Sequence, residues 1–348
     1  MKKIESKTFV VSDLHGMGNA YSAMFKDVAK RKVLGRNVEQ GFIDMSKDRL
    51  IILGDVIDRG TDGLEILQDI IKRKDRGENI SFIIGNHESM LLQTLNLIWA
   101  HDFKMSEVED KIIPYITLYY QTRYLERPDA RNSLTQNEMS QLTRYNSLSS
   151  YMRQKGINDV DDLMIIQEWL MLNNGLETYR QFLSKKPEEQ FRICEFLEES
   201  SAQMLVREGK NDFVLAHACP IYDQGFINMF RSNGVTTNYP YKSLKDHSRA
   251  IHQLVCHRND LDSVSQKERQ HMIYYKNDNI IPIVGHSPHL DRVVYDERTG
   301  SYNIDAGCGH DGGKCAVFDL TEGIVYKIDP HTGKIFKPKS VDREVVSR

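Results

Sequence analysis

The 348-residue sequence lacks most of what would give a chain an obvious address or partner. No uninterrupted apolar run reaches the length needed to span a bilayer, and MKKIESKTFVV at the start carries two lysines without an apolar stretch before Thr8. That is no secretory signal. Charge of one sign is also lacking: 46 Lys and Arg against 49 Asp and Glu leave a net charge of −3. This excludes a general pull toward nucleic acid or an acidic membrane surface. The five cysteines (Cys194, Cys219, Cys256, Cys308, Cys315) are odd in number and form no C-x-x-C pair, which argues against a disulfide framework and fits a reducing cytoplasm. Internal repeats and low-complexity linkers are missing as well, so the expectation is one ordinary domain with a sizeable core.

What is present is a series of short apolar runs rich in Val, Ile and Phe. TFVVSD (8–13), RLIILGD (49–55), ISFIIGN (80–86), DFVLAHA (212–218), IIPIVGH (280–286) and CAVFDL (315–320) each stop at Gly, Pro, Asn or Asp, as buried strands do. Helical spacing over 20–32 and 62–74 lies between the first three, which predicts βαβ units in a parallel sheet. From Ser89 to Glu208 the apolar spacing stays near three to four, and the stretch reads as consecutive helices punctuated by Pro114, Pro128, Gly156, Gly175 and Pro187. The tail from about residue 337 is polar and expected to be loosely held.

The runs end in an unusual way. VVSDLHG delivers Asp13 and His15; IILGDVIDRG delivers Asp55, Asp58 and Arg59; FIIGNHE delivers Asn86 and His87; FVLAHAC delivers His217; PIVGHSP delivers His286. A single buried histidine is more often a hydrogen-bonded core residue than a ligand. Five strand ends that each supply an oxygen or imidazole donor, at the edge where α/β sheets place their sites, point to a metal centre. Asp, Asn and His without cysteine suit Mn, Fe or Zn in expanded coordination rather than a structural thiolate zinc. The donors outnumber the needs of one ion, so two are expected, with Asp55 as the carboxylate shared between them.

As an ordered set, SDLHG, GDVIDRG, GNHE, HAC and GHSP closely resemble the metal-dependent phosphoprotein phosphatases of the calcineurin-like metallophosphoesterase superfamily, in particular their small bacterial and phage members. The resemblance covers residues 8–88 and 212–320. It implies an α/β/β/α sandwich with a helical insertion at about 95–165, all within a single catalytic domain of 348 residues. It further implies a phosphatase that hydrolyses phosphate monoesters with water activated by two divalent ions, manganese first among them. Asp13, His15 and Asp55 would hold one ion, and Asp55, Asn86, His217 and His286 the other. His87 would protonate the leaving oxygen with Asp58 steadying its imidazole, and Arg59 and Arg258 would clamp the phosphate. Substrates would be phosphorylated Ser/Thr proteins or small phosphate esters. Dinucleoside polyphosphates of the diadenosine tetraphosphate type are the alternative, and an inactive scaffold with the same fold a second one.

The chain departs from the family pattern in places. Ser12 stands where glycine is usual before the first aspartate, Cys219 follows Ala218 where glycine is usual, and Cys256-His257 precede Arg258 where Trp-Ser is common. Gly307, Gly312 and Gly313 in IDAGCGHDGGKC are expected to serve turn geometry, not a phosphate loop. Two rival chemistries fall on inspection. No cysteine has arginine six positions on, which a thiol nucleophile would need, and Asp159-Val160-Asp161 opens a helical run as an N-cap instead of closing a strand. The insertion is either a cap over the site edge, a docking or dimer surface, or helical padding. Tyr115, Tyr119, Tyr120, Tyr124 and Tyr145 would line a groove in the first case and a core in the last, and Arg123, Arg127 and Arg131 stand four apart.

Overall fold

The computed structural model describes residues 6–26, 32–34, 36–37, 41–104, 106–123, 135–234, 236–244 and 266–340. Arg258, Cys256, Tyr124, Arg127 and Arg131 lie outside the described residues, as do 341–348 of the polar tail. The chain divides into two compact units, one of Met1–Ser89 with Ser184–Arg348 and one of Met90–Leu183.

In the first unit, β1 (Thr8–Val11) runs parallel to β4 (Arg49–Ile52), and β4 runs parallel to β5 (Ile80–Phe82). Antiparallel β12 (Cys315–Asp319), β13 (Ile324–Ile328) and β14 (Lys339–Ser340) complete six strands in the order β14-β13-β12-β1-β4-β5. The second sheet has the order β10-β11-β9-β7-β6-β8. Its strands are β6 (Ser201–Glu208), β7 (Asn211–Ala216), β8 (Thr236–Pro240), β9 (Ile280–Val284), β10 (Val294–Asp296) and β11 (Ser301–Asn303). A small ribbon, β2 (Lys32–Val33) with β3 (Arg36–Asn37), stands apart from both.

Side chains alternate across each strand, so every buried strand offers two apolar faces. Val10 and Ile51 from one sheet, with Ile83 just beyond β5, meet Met204, Val206, Phe213, Leu215 and Ile283 from the other in one core. The outward residues Leu205, Val214 and Ile280 pack under Phe226, Ile227 and Phe230 of the helix Gln224–Asn233 and under Tyr275 of the helix Gln266–Asn277. On the other side, Phe196 of the helix Pro187–Glu198 meets Phe82 with ring centroids 5.3 Å apart. The expected α/β/β/α sandwich is the result.

Two expectations need correction. The helix predicted over 20–32 spans only Gly18–Met24, and Phe25 is extended. Tertiary contacts override the local pattern: Phe25 bridges to Ile43, meets Tyr21 edge to face, and lies under the Arg73 guanidinium 3.9 Å from its ring centre. The helical reading up to Glu208 also fails, because Ser201–Glu208 is a strand held between β7 and β8. Its apolar run is buried on both faces, where helical and strand patterns look alike.

The second unit is helical. A π-helical turn, Val108–Ile112, leads into the helix Ile113–Thr122, and the helix Gln136–Gln154 is opened by a capping box between Thr135 and Glu138. Asp159 accepts from the Asp161 backbone N–H at the start of Val160–Leu163, so this acidic triplet is an N-cap. Tyr115 is buried and stacks on Tyr145 at 5.5 Å, which makes that pair packing within the unit. Among the described residues no helix is long and apolar enough to cross a membrane.

Candidate metal centre

The parallel strands β1, β4 and β5 of one sheet and β7 and β9 of the other all end at the same edge, and each is followed directly by donor residues. The loops after β1 and β4 are knitted to each other through their backbones. Asp13 N–H donates to Gly54 O (3.1 Å), His15 N–H to Asp55 O (2.9 Å), Gly16 N–H to Val56 O (2.8 Å) and Gly60 N–H back to His15 O (3.0 Å).

This knitting holds the backbone in a costly shape. Eleven described non-glycine residues have positive φ, and six of them are Asp13, His15, Asp55, Asp58, Arg59 and His286. Each such residue costs roughly 1–3 kcal/mol and persists only where its surroundings over-determine it. The strain aims side chains of neighbouring residues into one space, which ordinary extended backbone would send to opposite faces.

Asp55 lies at the centre. Its Oδ2 is 3.3 Å from His217 Nε2 and 3.8 Å from both His15 Nε2 and His87 Nε2. His217 Nδ1–H donates to Leu53 O at 2.6 Å, which turns Nε2 inward, where it also lies 3.0 Å from Asn86 Oδ1 and 3.2 Å from His286 Nδ1. His15 is fixed in the same manner by Nδ1 donating to Ile57 O at 3.2 Å. Asp13 Oδ2 accepts from the His286 backbone N–H at 3.0 Å. Gly285 leaves room for that contact, since a Cβ there would sit 2.3 Å from Asp13 Oδ2. Two donor groups form around Asp55: His15, Asp55 and His87, and Asp55, His217 and His286.

The electrostatics follow from packing carboxylates and imidazoles together away from water. Burial alone would raise the Asp55 carboxyl, but the imidazoles of His217 and His87 outweigh it and hold it well below its ordinary range. Burial would likewise lower His217, and Asp55 and Asp13 instead carry it up to about 10. Asp13 is raised, by burial and then by the charge of Asp55. Asp305, buried behind it, is pushed well above the usual carboxylate range by burial and by Asp13.

Beside this cluster, burial opposes the charged form of His87, yet Asp55 and Asp58 raise it; its Nδ1 lies 2.5 Å from Asp58 Oδ2. Arg59 is exposed at the rim, and its guanidinium donates to His310 Nε2. The structure therefore brings Asp13, His15, Asp55, Asp58, Arg59, Asn86, His87, His217 and His286 to one edge. Cys219 is buried against Met272 and Val284.

Sequence reasoning overlooked Glu88, Asp305 and His310. Glu88 is fully buried and collects backbone N–H groups: Asp55 (2.9 Å) and Gly85 (3.0 Å) donate to Oε2, and Val56 (2.8 Å) and Ile57 (3.3 Å) to Oε1. It collars the strained turn after β4, although burial and the Asp55 charge push its carboxyl up to about 7. The clue in the sequence was an acid directly after Asn86-His87 with no ligand duty to perform. Glu88→Gln replaces an acceptor oxygen with an N–H₂ facing backbone donors. Urea denaturation is expected to show a loss of about 1–3 kcal/mol, and an unchanged midpoint would contradict the collar.

The calcineurin-like phosphoesterase family matches residues 6–311. The chain belongs to that family. No curated protein sequence matches this calcineurin-like phosphoesterase closely enough to stand as a relative. Among solved structures it is similar to a cold-active protein-tyrosine phosphatase of a psychrophilic Shewanella species, with 13% identity over 97% of this chain and 81% of that one and a TM-score of 0.44. A protein serine/threonine phosphatase from Saccharomyces cerevisiae shares 11% identity over 92% of this chain and 74% of that one, with a TM-score of 0.44. A metallophosphoesterase from Sphaerobacter thermophilus shares 14% identity over 90% and 84%, with a TM-score of 0.31.

The family uses a dinuclear metal centre, and the donors here fit one. His217 Nε2 faces Asp55 Oδ2, Asn86 Oδ1 and His286 Nδ1 at 3.0–3.3 Å. One N–H on that nitrogen can point at only one of these acceptors, whereas a cation between them uses all four lone pairs. Asp13 and Asp55, buried together, gain from positive charge in the same place.

Proposed function

We propose that this calcineurin-like phosphoesterase is a metal-dependent phosphomonoesterase of the Ser/Thr protein phosphatase kind. The observation that carries the reading is the buried His87–Asp58 pair at 2.5 Å, which presents the other face of His87 to Asp55 and the donor groups around it. Structural metal binding needs no such pair; cleavage of an ester with a poor leaving group does.

Asp13, His15 and Asp55 would hold one divalent ion, and Asp55, Asn86, His217 and His286 a second. Bound there, the ions would polarise phosphoryl oxygens and supply water as a strong nucleophile near neutral pH. The chain's own groups do the rest. Arg59 presents a planar fork of N–H donors to the phosphate, and its positive φ of 63° fixes the direction in which the side chain leaves the turn. Asp58 takes the Nδ1–H of His87, leaving Nε2–H to be given to the departing ester oxygen. Arg258 is proposed as a second phosphate clamp. Manganese is the proposed metal and the cytoplasm the proposed compartment, with phosphorylated proteins or small phosphoesters as substrates.

The test uses full-length protein stripped of metal, reloaded with Mn²⁺, and given a phosphoserine/phosphothreonine peptide and diadenosine tetraphosphate side by side. Phosphate release from the peptide is the expected result. Turnover of the dinucleotide alone would overturn the protein-phosphatase reading in favour of a polyphosphate hydrolase. Inactivity toward both, with metal bound, would leave the scaffold reading.

A further inference from the structure

The turn between β11 and β12 carries His310 to the rim of the centre, where no metal needs it. This turn is firmly seated. Asp305 Oδ1 accepts from Gly307 N–H at 2.9 Å, His310 N–H donates to Gly307 O at 2.9 Å, and Gly313 N–H donates to His310 O at 3.0 Å. Its close approach to the centre depends on Gly309, where a Cβ would lie 2.7 Å from that of His15. The His310 imidazole is therefore held by backbone that is itself pressed against a donor residue. Its Nε2 accepts from Arg59 Nη1.

Arg59 needs such a partner. It is exposed, and a long arginine side chain samples many rotamers in water. The contact with His310, on a turn pressed against His15, holds the guanidinium at the rim of the site. A carboxylate partner would hold the guanidinium but would compete with an incoming phosphate for its charge. A neutral imidazole accepts one N–H and leaves both the charge and the remaining donors available.

We propose that His310 is a positioning residue that pre-orders Arg59 for a phosphoryl group, through the contact between Arg59 Nη1 and His310 Nε2 on a turn locked against His15. The inference rests on the phosphate-clamping role proposed for Arg59. Ordering a side chain before the ligand arrives strengthens binding by about three- to tenfold.

The experiment measures inorganic phosphate binding by calorimetry to the full, Mn²⁺-loaded chain and follows phosphopeptide kinetics in parallel. His310→Ala is expected to weaken phosphate by about three- to tenfold and to raise KM by a similar factor, with a smaller fall in kcat. His310→Gln, whose amide oxygen keeps an acceptor, is expected to recover most of the loss. In an Arg59→Ala background, His310→Ala should add nothing further, because its effect passes through Arg59. ¹⁵N-histidine spectra give a readout independent of turnover: the His310 Nε2 resonance is that of an unprotonated acceptor and shifts in Arg59→Ala. Equal losses in both backgrounds, or a His310 resonance indifferent to Arg59, would overturn the proposal. If the wild-type protein binds phosphate and His310→Ala binds it equally well, His310 alone is refuted. If the wild-type protein neither binds phosphate nor hydrolyses a monoester, the proposed function falls and takes this role with it.

Discussion

Replacing His87 with asparagine is expected to lower kcat on an alkyl phosphate ester, such as phosphoserine peptide, by about 10²–10⁴-fold, the usual contribution of a positioned general acid. The same substitution should cost much less on an aryl ester such as p-nitrophenyl phosphate, whose leaving group departs without a proton. This contrast separates acid catalysis from mere damage to the site. His87 is 1% exposed, its Nδ1 lies 2.5 Å from Asp58, and its backbone N–H donates to Asp55 Oδ1 at 3.1 Å. Asparagine keeps the backbone contact and can still face Asp58, so the fold has no reason to fail. Asp58→Asn should follow the same pattern at smaller amplitude, since it removes the charge that favours the imidazolium while leaving the ring in place. Equal losses on both esters would refute the acid role, and intact circular dichroism is needed to read either result.

The second large effect is expected on removing divalent metal. Chelation should abolish hydrolysis and lower the unfolding midpoint, because a ligand bound only by the folded state at a hundred times its Kd contributes about 2.7 kcal/mol. Buried Asp13 and Asp55 make the coupling direct: both are 2% exposed, and positive charge between them offsets repulsion that folding otherwise imposes. Asp55→Asn is predicted to abolish the metal-dependent shift altogether, because Asp55 belongs to both donor groups. Differential scanning fluorimetry with and without Mn²⁺, alongside metal analysis of the purified variants, gives the answer. A variant that kept two ions per chain and a full thermal shift would exclude Asp55 as the shared carboxylate. His286→Ala, which touches one donor group only, should retain part of the shift.

Both predictions rest on residues that were legible before any coordinates. Asp13, His15, Asp55, Asn86, His87, His217 and His286 could be picked out because each follows an apolar run within a few residues, and that relation is local. The sandwich was legible only through the family resemblance those motifs carry; the strand patterns by themselves indicated βαβ units in a parallel sheet. Glu88, Asp305 and His310 stayed hidden because their meaning is set by distant partners. The acceptors of Glu88 serve backbone N–H groups some thirty residues away, and His310 meets Arg59 from 251 positions along the chain.

The sequence by itself placed oxygen and imidazole groups at successive strand ends, a pattern with few uses other than holding a metal. It also placed the starts of the parallel strands to within a residue, while the expected runs overshoot the observed ends by two to four residues. Only the tertiary structure decided that Ser201–Glu208 is a strand and not the end of a helix, because the choice is made by hydrogen bonds to β7 and β8. Tertiary structure likewise decided that helix 20–32 stops at Met24, where Phe25 leaves to meet Tyr21 and Arg73. The six left-handed residues belong to the same class. Asp and His tolerate positive φ better than most residues, but that tolerance alone does not place Asp13, His15, Asp55, Asp58, Arg59 and His286 there. Neighbouring loops and the Glu88 carboxylate impose it, and the strain is what turns five separate strand ends toward one point.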